Sequence, residues 1–155
     1  MNGFDGQSRY TVDHKGRVNI PAKFRKCLSP ESQDTLVITR GFEKCLYVYP
    51  LDIWNKVTKS VENLPLKLDK RHLVTRRWGF SANRVPFDKQ GRIALPPELM
   101  RFAEIKDEVI IGGALDRLEI WNPELLEKHF AESEETYKDI YENIMLGPPK
   151  SSASE

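Results

Sequence analysis

Acidic, basic and glycine residues recur together at one fixed spacing in two parts of the chain. The pattern D-x-x-G-R-[V/I]-x-[I/L]-P begins at Asp13 and again at Asp88. Lys and Arg side chains on a tight turn, together with exposed backbone N–H groups, suit phosphate oxygens, and Arg can also bind guanine through two hydrogen bonds. The basic side chains are His14, Lys15 and Arg17 in the first copy, and Lys89 and Arg92 in the second. This chemistry predicts a polyanionic partner.

A simpler interpretation is that each Arg only forms an ion pair with the Asp four residues before it. Such a pair at a protein surface contributes about 0–1 kcal/mol. For one isolated copy of the motif this interpretation would be sufficient. The duplication favours binding, because two related basic turns match the two-fold related grooves of a nucleic acid.

The sequence does not predict an enzyme. Asp13 and Asp88 could form a carboxylate pair like that of the aspartic proteases, but each is expected to stabilise its own turn and to stay ionised beside Arg. The histidines are scattered, and the chain contains no H-E-x-x-H, G-x-S-x-G or P-loop motif. Cys27 and Cys45 are expected to be reduced core residues. We therefore expect no catalytic residue, no metal and no cofactor.

The residues around each motif predict a unit that positions the turn. A leading Asp accepts hydrogen bonds from the backbone that follows it, and Gly tolerates positive φ, so D-x-x-G between extended segments predicts a hairpin turn with a bulge. Alternating apolar residues then predict a strand, and Pro followed by apolar residues at i, i+3 and i+4 predicts a short helix. We assign four residues to shaping the turns: Asp13, Gly16, Asp88 and Gly91.

The repeat continues beyond the turns and covers roughly 9–57 and 84–130. Each copy adds two strands, predicted at 36–39 and 46–49 and at 109–111 and 118–121, and then a helix that begins at a Pro. The stretch 62–83 between the copies predicts a helix with a basic side. Its packing is expected to use apolar residues, namely Leu68, Leu73, Val74 and Trp78.

The charge is divided unevenly along the chain. Residues 1–121 carry a net charge of +6, whereas 122–155 carry −5. The acidic part predicts a helix from Pro123 to about Met145, followed by a disordered tail at 151–155. Either this helix folds back on its own core or it docks on a neighbouring subunit, and the sequence leaves both options open. No segment has the apolar length of a membrane span or a signal peptide, so we expect a cytoplasmic protein.

The chain resembles the MraZ family of bacterial transcriptional regulators in three features. They are the two D-x-x-x-R segments, the I-P and L-P that follow them, and the strand ends at Tyr49-Pro50 and Trp121-Asn122-Pro123. The resemblance implies a fold of mixed β-strands with short helices (α+β). It also implies that two AbrB-like swapped-hairpin units intertwine as a pseudo-dimeric double-psi-type barrel, and that a C-terminal helix follows them. The units are expected at 7–54 and 83–126, with a basic helical connector at 55–82 and an acidic helix and tail at 127–155.

The same resemblance implies a function. It predicts a sequence-specific regulator, usually a repressor, that binds repeated short boxes of double-stranded DNA in the promoter of its own cell-division and cell-wall gene cluster. Contacts are expected first from Lys15, Arg17 and His14, because that turn is the more basic one, and then from Arg92 and Lys89. The chains are expected to form a closed ring of octamer or dodecamer size, associated with the nucleoid, without a membrane or small-molecule substrate. The alternative is a protein-recognition scaffold with no nucleic-acid role.

Overall fold

A computed structural model describes residues 3–147 of the chain. The tail at 151–155, predicted to be disordered, lies outside the described residues. The chain divides into two compact units, Met1–Pro123 and Glu124–Glu155. Along the part of the chain that the structure describes, no helix is both long and apolar enough to span a membrane.

The first unit contains eight strands and four α-helices among its described residues. In chain order they are β1 (Gln7–Thr11), β2 (Arg17–Asn19), α1 (Ala22–Arg25), β3 (Thr35–Arg40), β4 (Leu46–Pro50), α2 (Leu51–Glu62), α3 (Leu68–Ser81), β5 (Asn83–Pro86), β6 (Arg92–Ala94), α4 (Pro97–Phe102), β7 (Glu108–Gly113) and β8 (Leu118–Trp121). A short 3-10 turn at Pro30–Ser32 precedes β3.

Six of the strands form one antiparallel sheet in the order β1-β7-β8-β4-β3-β5, and β2 pairs with β6 in a separate two-stranded ribbon. Each half of the unit gives its first strand to the other half. Strand β1 pairs with β7, starting at Gln7↔Gly112, and β5 pairs with β3, ending at Ile38↔Asn83. The two halves are therefore intertwined, and the predicted mixed α+β fold class is confirmed.

The two D-x-x-G turns form as predicted, but the strands on either side of each turn then separate. Strand β1 continues in the large sheet, whereas β2 leaves it to pair with β6, with Val18 opposite Ile93. Both of these side chains are 1% exposed, so the inner face of the ribbon belongs to the core. The ribbon joins the halves because neither half alone can cover that face.

The core follows the predicted alternation along β2 and β6. Ile20 and Leu95 continue the buried face just beyond the strands, and the short helices α1 and α4 bury Phe24 and Leu99 against the same cluster. The Pro that precedes each helix prevents the strand from continuing and sets the direction of the first helical turn. This packing fixes the position of the ribbon, and with it the two turns.

The connector helix α3 packs differently from the prediction. Trp78 is buried and Val74 half-buried, but Leu68 and Leu73 are 58% and 54% exposed. Leu68, Leu73 and Trp78 are spaced by five residues, which carries successive side chains around the helix instead of along one stripe. Only the pair spaced by four, Val74 and Trp78, can face the sheet together.

The second unit is a single helical element in its described residues. Helix α5 (Pro123–Ile140) is unbroken across the Ser133-Glu134-Glu135 segment where the apolar stripe is interrupted, and it ends in a π-helical turn at Tyr141–Met145. The side chains of Tyr137, Ile140, Tyr141 and Ile144 are all exposed.

Candidate nucleic-acid interface

The first turn is built around the carboxylate of Asp13. Its Oδ1 accepts hydrogen bonds from the backbone N–H groups of Lys15 and Arg17, both at 2.9 Å. Its Oδ2 accepts from Nε of Arg17 at 2.8 Å. Gly16 has φ of 78°, a left-handed conformation that residues with a Cβ adopt only at a cost. Asp13 therefore bonds to the backbone within the turn, and Gly16 has the conformation that the turn requires.

The second turn repeats this arrangement bond for bond. Asp88 Oδ1 accepts from the N–H groups of Gln90 at 2.8 Å and Arg92 at 2.9 Å, and its Oδ2 accepts from Nε of Arg92 at 2.8 Å. Gly91 has φ of 77°. The sequence repeat is therefore a repeat of geometry, and the ion pair of each Arg with its own Asp is present in both copies.

Each turn is also hydrogen-bonded to the other half of the chain. The N–H of Leu95 donates to the Gly16 carbonyl at 2.8 Å, and the N–H of Ile20 donates to the Gly91 carbonyl at 3.2 Å. Nη1 of Arg92 reaches Asp13 Oδ2 at 3.5 Å. The turns lie at opposite ends of the ribbon, separated by a three-residue ladder. They form one rigid pair.

The hydrogen bonds keep both carboxylates ionised. The Arg17 backbone N–H, aided by the Arg17 side chain and the Lys15 N–H, lowers the pKa of Asp13 from 3.8 to about 2. The Arg92 backbone N–H is the main cause of a lowered pKa at Asp88. A carboxylate pair that shares a proton needs one pKa to be raised. Two lowered pKa values argue against the proteolytic arrangement considered from the sequence.

In both turns the lysine and the arginine differ in their exposure to solvent. His14 and Lys15 are exposed on the first turn and Lys89 on the second, whereas Arg17 and Arg92 are partly buried by their carboxylate partners. Within residues 3–147, Lys15 and Lys89 form no ion pair. The lysines are therefore free to meet an anion, while the arginines are held in fixed orientations.

The outward face of the β2–β6 ribbon lies between the turns. Because side chains alternate along a strand, Val18 and Ile93 point into the core and leave Arg17, Asn19 and Arg92 on the other side. Asn19 is exposed and was not singled out from the motif, although the same alternation could have identified it. Asn and Arg are the side chains that bind adenine and guanine edges through paired hydrogen bonds.

Arg25 of α1 is a further basic residue that the motif did not reveal. Its guanidinium covers Gly91 so closely that a Cβ there would lie 2.8 Å from Cζ, and its Nε donates to the Ile20 carbonyl at 3.1 Å. The equivalent residue in the second copy, Met100, covers Gly16 instead. The second turn therefore gains a cation from the first half of the chain, which reduces the predicted difference in charge between the turns.

Comparisons with known proteins agree with the repeat. Residues 4–77 and 80–146 match the family described as "MraZ protein, putative antitoxin-like". A protein of Halothermothrix orenii named transcriptional regulator MraZ is 38% identical over 137 residues, which cover 88% of this chain and 93% of the relative. Proteins of the same name from Natranaerobius thermophilus and Pediococcus pentosaceus are 37% and 38% identical, each over 92% of this chain and 96% of the relative.

Proposed function

Because this chain belongs to the MraZ family, we propose that it is a transcriptional regulator that binds double-stranded DNA through its paired turns. The relatives carry the name of transcriptional regulators, and the geometry of this chain supplies a surface suited to that role. In this proposal the two AbrB-like units, 7–54 and 83–126, contact DNA. The connector, 55–82, and the acidic helix and tail, 127–155, serve assembly.

One observation carries the proposal: two turns with the same carboxylate hydrogen bonds to the backbone and to their own Arg lie at opposite ends of one short ribbon. A two-stranded β-ribbon fits the major groove of B-DNA, which is about 12 Å wide. Lys15, His14 and Lys89 on the turns would contact the phosphates that border the groove. Arg17 and Arg92 on the ribbon would address the base edges.

The ion pairs with Asp13 and Asp88 prepare the arginines for this task. Each carboxylate binds Nε of its Arg, which fixes the orientation of the guanidinium plane and leaves an Nη group to bind DNA. Less side-chain entropy is then lost when DNA binds. A base-reading Arg held in this way gives selectivity, whereas the mobile lysines give affinity that does not depend on sequence.

One pair of turns would bind DNA weakly. Each phosphate that a protein neutralises lowers log K by about 0.9 for each tenfold rise in salt. We propose that chains assemble into a closed ring. After one chain of the ring binds, the others bind neighbouring boxes intramolecularly. The overall affinity then rises by roughly 10²–10⁴ when the spacing of the boxes matches the spacing of the subunits. The proposed targets are repeated short boxes in the promoter of the protein's own cell-division and cell-wall gene cluster, and the proposed outcome is repression of that cluster. The proposed location is the cytoplasm, in association with the nucleoid.

The test is direct binding to DNA from upstream of the protein's own gene. Fluorescence anisotropy at two salt concentrations should show tight binding that weakens steeply with salt, and footprinting should show protected segments at a regular spacing. A scrambled fragment of equal length is the control. Equal binding to both fragments, or no binding to either, would contradict the proposal and favour the protein-recognition alternative.

A further inference from the structure

An apolar groove lies beside the connector helix α3 in the first unit. It is a cavity of about 250 Å³, and its lining residues are Arg40, Gly41, Phe42, Leu73, Val74, Arg77 and Trp78. Phe42 is 75% exposed and Leu73 is 54% exposed, although both are large apolar side chains. This surface is separate from the two D-x-x-G turns.

Aromatic rings form the floor of the groove. Trp78 stacks on Trp54 with ring centroids 5.7 Å apart, and the ring centroid of Phe42 lies 5.9 Å from that of Trp78.

The helix beside the groove is basic and has few acidic residues. Residues 67–81 contain five Lys or Arg and one Asp. Across residues 3–147 these five cations take part in no ion pair; they are Lys67, Lys70, Arg71, Arg76 and Arg77. An acidic partner with large apolar side chains would satisfy both the charge and the groove.

The end of α5 has this chemistry. Tyr137, Ile140 and Tyr141 follow the i, i+3, i+4 spacing by which α-helices bind in grooves, and Ile144 follows in the π-helical turn. The four side chains are 62%, 53%, 44% and 71% exposed. The rings of Tyr137 and Tyr141 stack at 6.2 Å, which shows that they share one face. Residues 134–146 contain four Asp or Glu and one Lys.

We infer that the end of α5 from one copy of the chain docks in the α3 groove of a second copy. The inference rests on the self-association in the proposed function and deepens it by naming both surfaces. Opposite charge selects the pairing, and the apolar face of α5 fills the groove. Because the helix and the groove are different surfaces, the contact passes from copy to copy, as a ring requires.

Two substitutions test the contact from opposite sides. Leu73→Asp spoils the groove and leaves the helix intact, whereas Tyr141→Asp spoils the helix and leaves the groove intact. Both side chains are exposed within a single copy, so neither change should unfold it. Leu115→Asp is the matched control, because Leu115 is 76% exposed on the turn between β7 and β8, outside the groove.

Mass photometry and sedimentation velocity of the full chain should show assemblies for the unaltered protein and for Leu115→Asp. Each groove or helix variant alone should sediment as a monomer. A mixture of Leu73→Asp with Tyr141→Asp should give heterodimers and nothing larger, because one intact groove then meets one intact helix.

Three results would overturn the inference: a monomeric unaltered protein, variants that keep the full assembly, or a mixture that stays monomeric. Docking of α5 on its own chain would appear as unchanged assembly with lowered thermal stability of both variants.

The proposed DNA role is judged separately on a fragment with a single box. Monomeric variants should bind it like the unaltered protein, and a failure there would count against DNA binding alone.

Discussion

Arg92 bonds to a carboxylate in each half of the chain. Its Nε donates to Asp88 of its own turn at 2.8 Å, and its Nη1 lies 3.5 Å from Oδ2 of Asp13 in the other turn. The reciprocal bond from Arg17 to Asp88 is not among the hydrogen bonds of the described residues. Asp13 is therefore the anchor shared by the two turns, and the pair is not fully symmetric.

Replacing Asp13 should be more damaging than replacing Asp88. Asp13→Asn loses the charge that holds two guanidinium groups, whereas Asp88→Asn loses the charge that holds one. Thermal unfolding should show the larger drop in melting temperature for Asp13→Asn. Hydrogen exchange should quicken at the Lys15 and Arg17 amides in Asp13→Asn only. Equal effects of the two variants would show that the contact between Arg92 and Asp13 contributes nothing.

Arg17→Ala should weaken binding to the promoter fragment by about 1–3 kcal/mol while the protein stays folded and assembled. The reason is the loss of an oriented guanidinium on the outward face of the ribbon. Arg9→Ala is a suitable control, since Arg9 is an exposed Arg on β1 that pairs with Glu108 outside the turns. Anisotropy titrations at one fixed salt concentration measure the difference. A folded Arg17→Ala protein with unchanged affinity would refute the assignment.

Arg25 is expected to bind a phosphate beside the second turn. In Arg25→Ala, the slope of log K against log salt should fall in magnitude by about 0.9, the value for one lost phosphate contact. Met100→Ala removes the side chain at the equivalent position of the other copy and should leave the slope unchanged. If both variants have the slope of the unaltered protein, Arg25 only packs against the turn.

The two turn glycines should differ in their tolerance of a methyl group. Gly16→Ala and Gly91→Ala each force a Cβ into the left-handed region, at a cost of about 1–2 kcal/mol. Gly91→Ala should lose slightly more stability, because its Cβ would lie 2.8 Å from the end of the flexible Arg25 side chain, which must move, whereas at Gly16 the nearest atoms lie at 3.4 Å. Urea unfolding measures both. Adding Arg25→Ala to Gly91→Ala should remove the excess, and purely additive losses would show that no clash occurs.

Acid should weaken the first turn only at low pH. The pKa of Asp13 is lowered to about 2 in the folded chain from an ordinary 3.8, so its contribution to stability is complete above pH 4 and is lost as the pH falls towards 2. Thermal unfolding of the unaltered chain and of Asp13→Asn should therefore converge in this window. A carboxyl resonance of Asp13 that titrates near pH 4 would contradict the expectation.

The sequence predicted the turns well because their geometry is local. Asp13 and Gly16 are three residues apart, and the hydrogen bonds that they require depend on little else. The strands and most helices followed from alternation and from Pro positions for the same reason. The proximity of Arg25 to Gly91 could not be predicted, since it depends on how two distant halves cross. Leu68 and Leu73 were assigned to the packed side of α3 on residue type alone, which ignored their spacing of five.

The exchange of first strands sets a constraint on synthesis. Strand β1 has no partner until β7, about one hundred residues later, has left the ribosome, and β2 waits for β6. Long sequence separation of this kind slows the search for native pairing. The first half of the newborn chain must therefore emerge with open strand edges, which the second half of another newborn chain can also pair with.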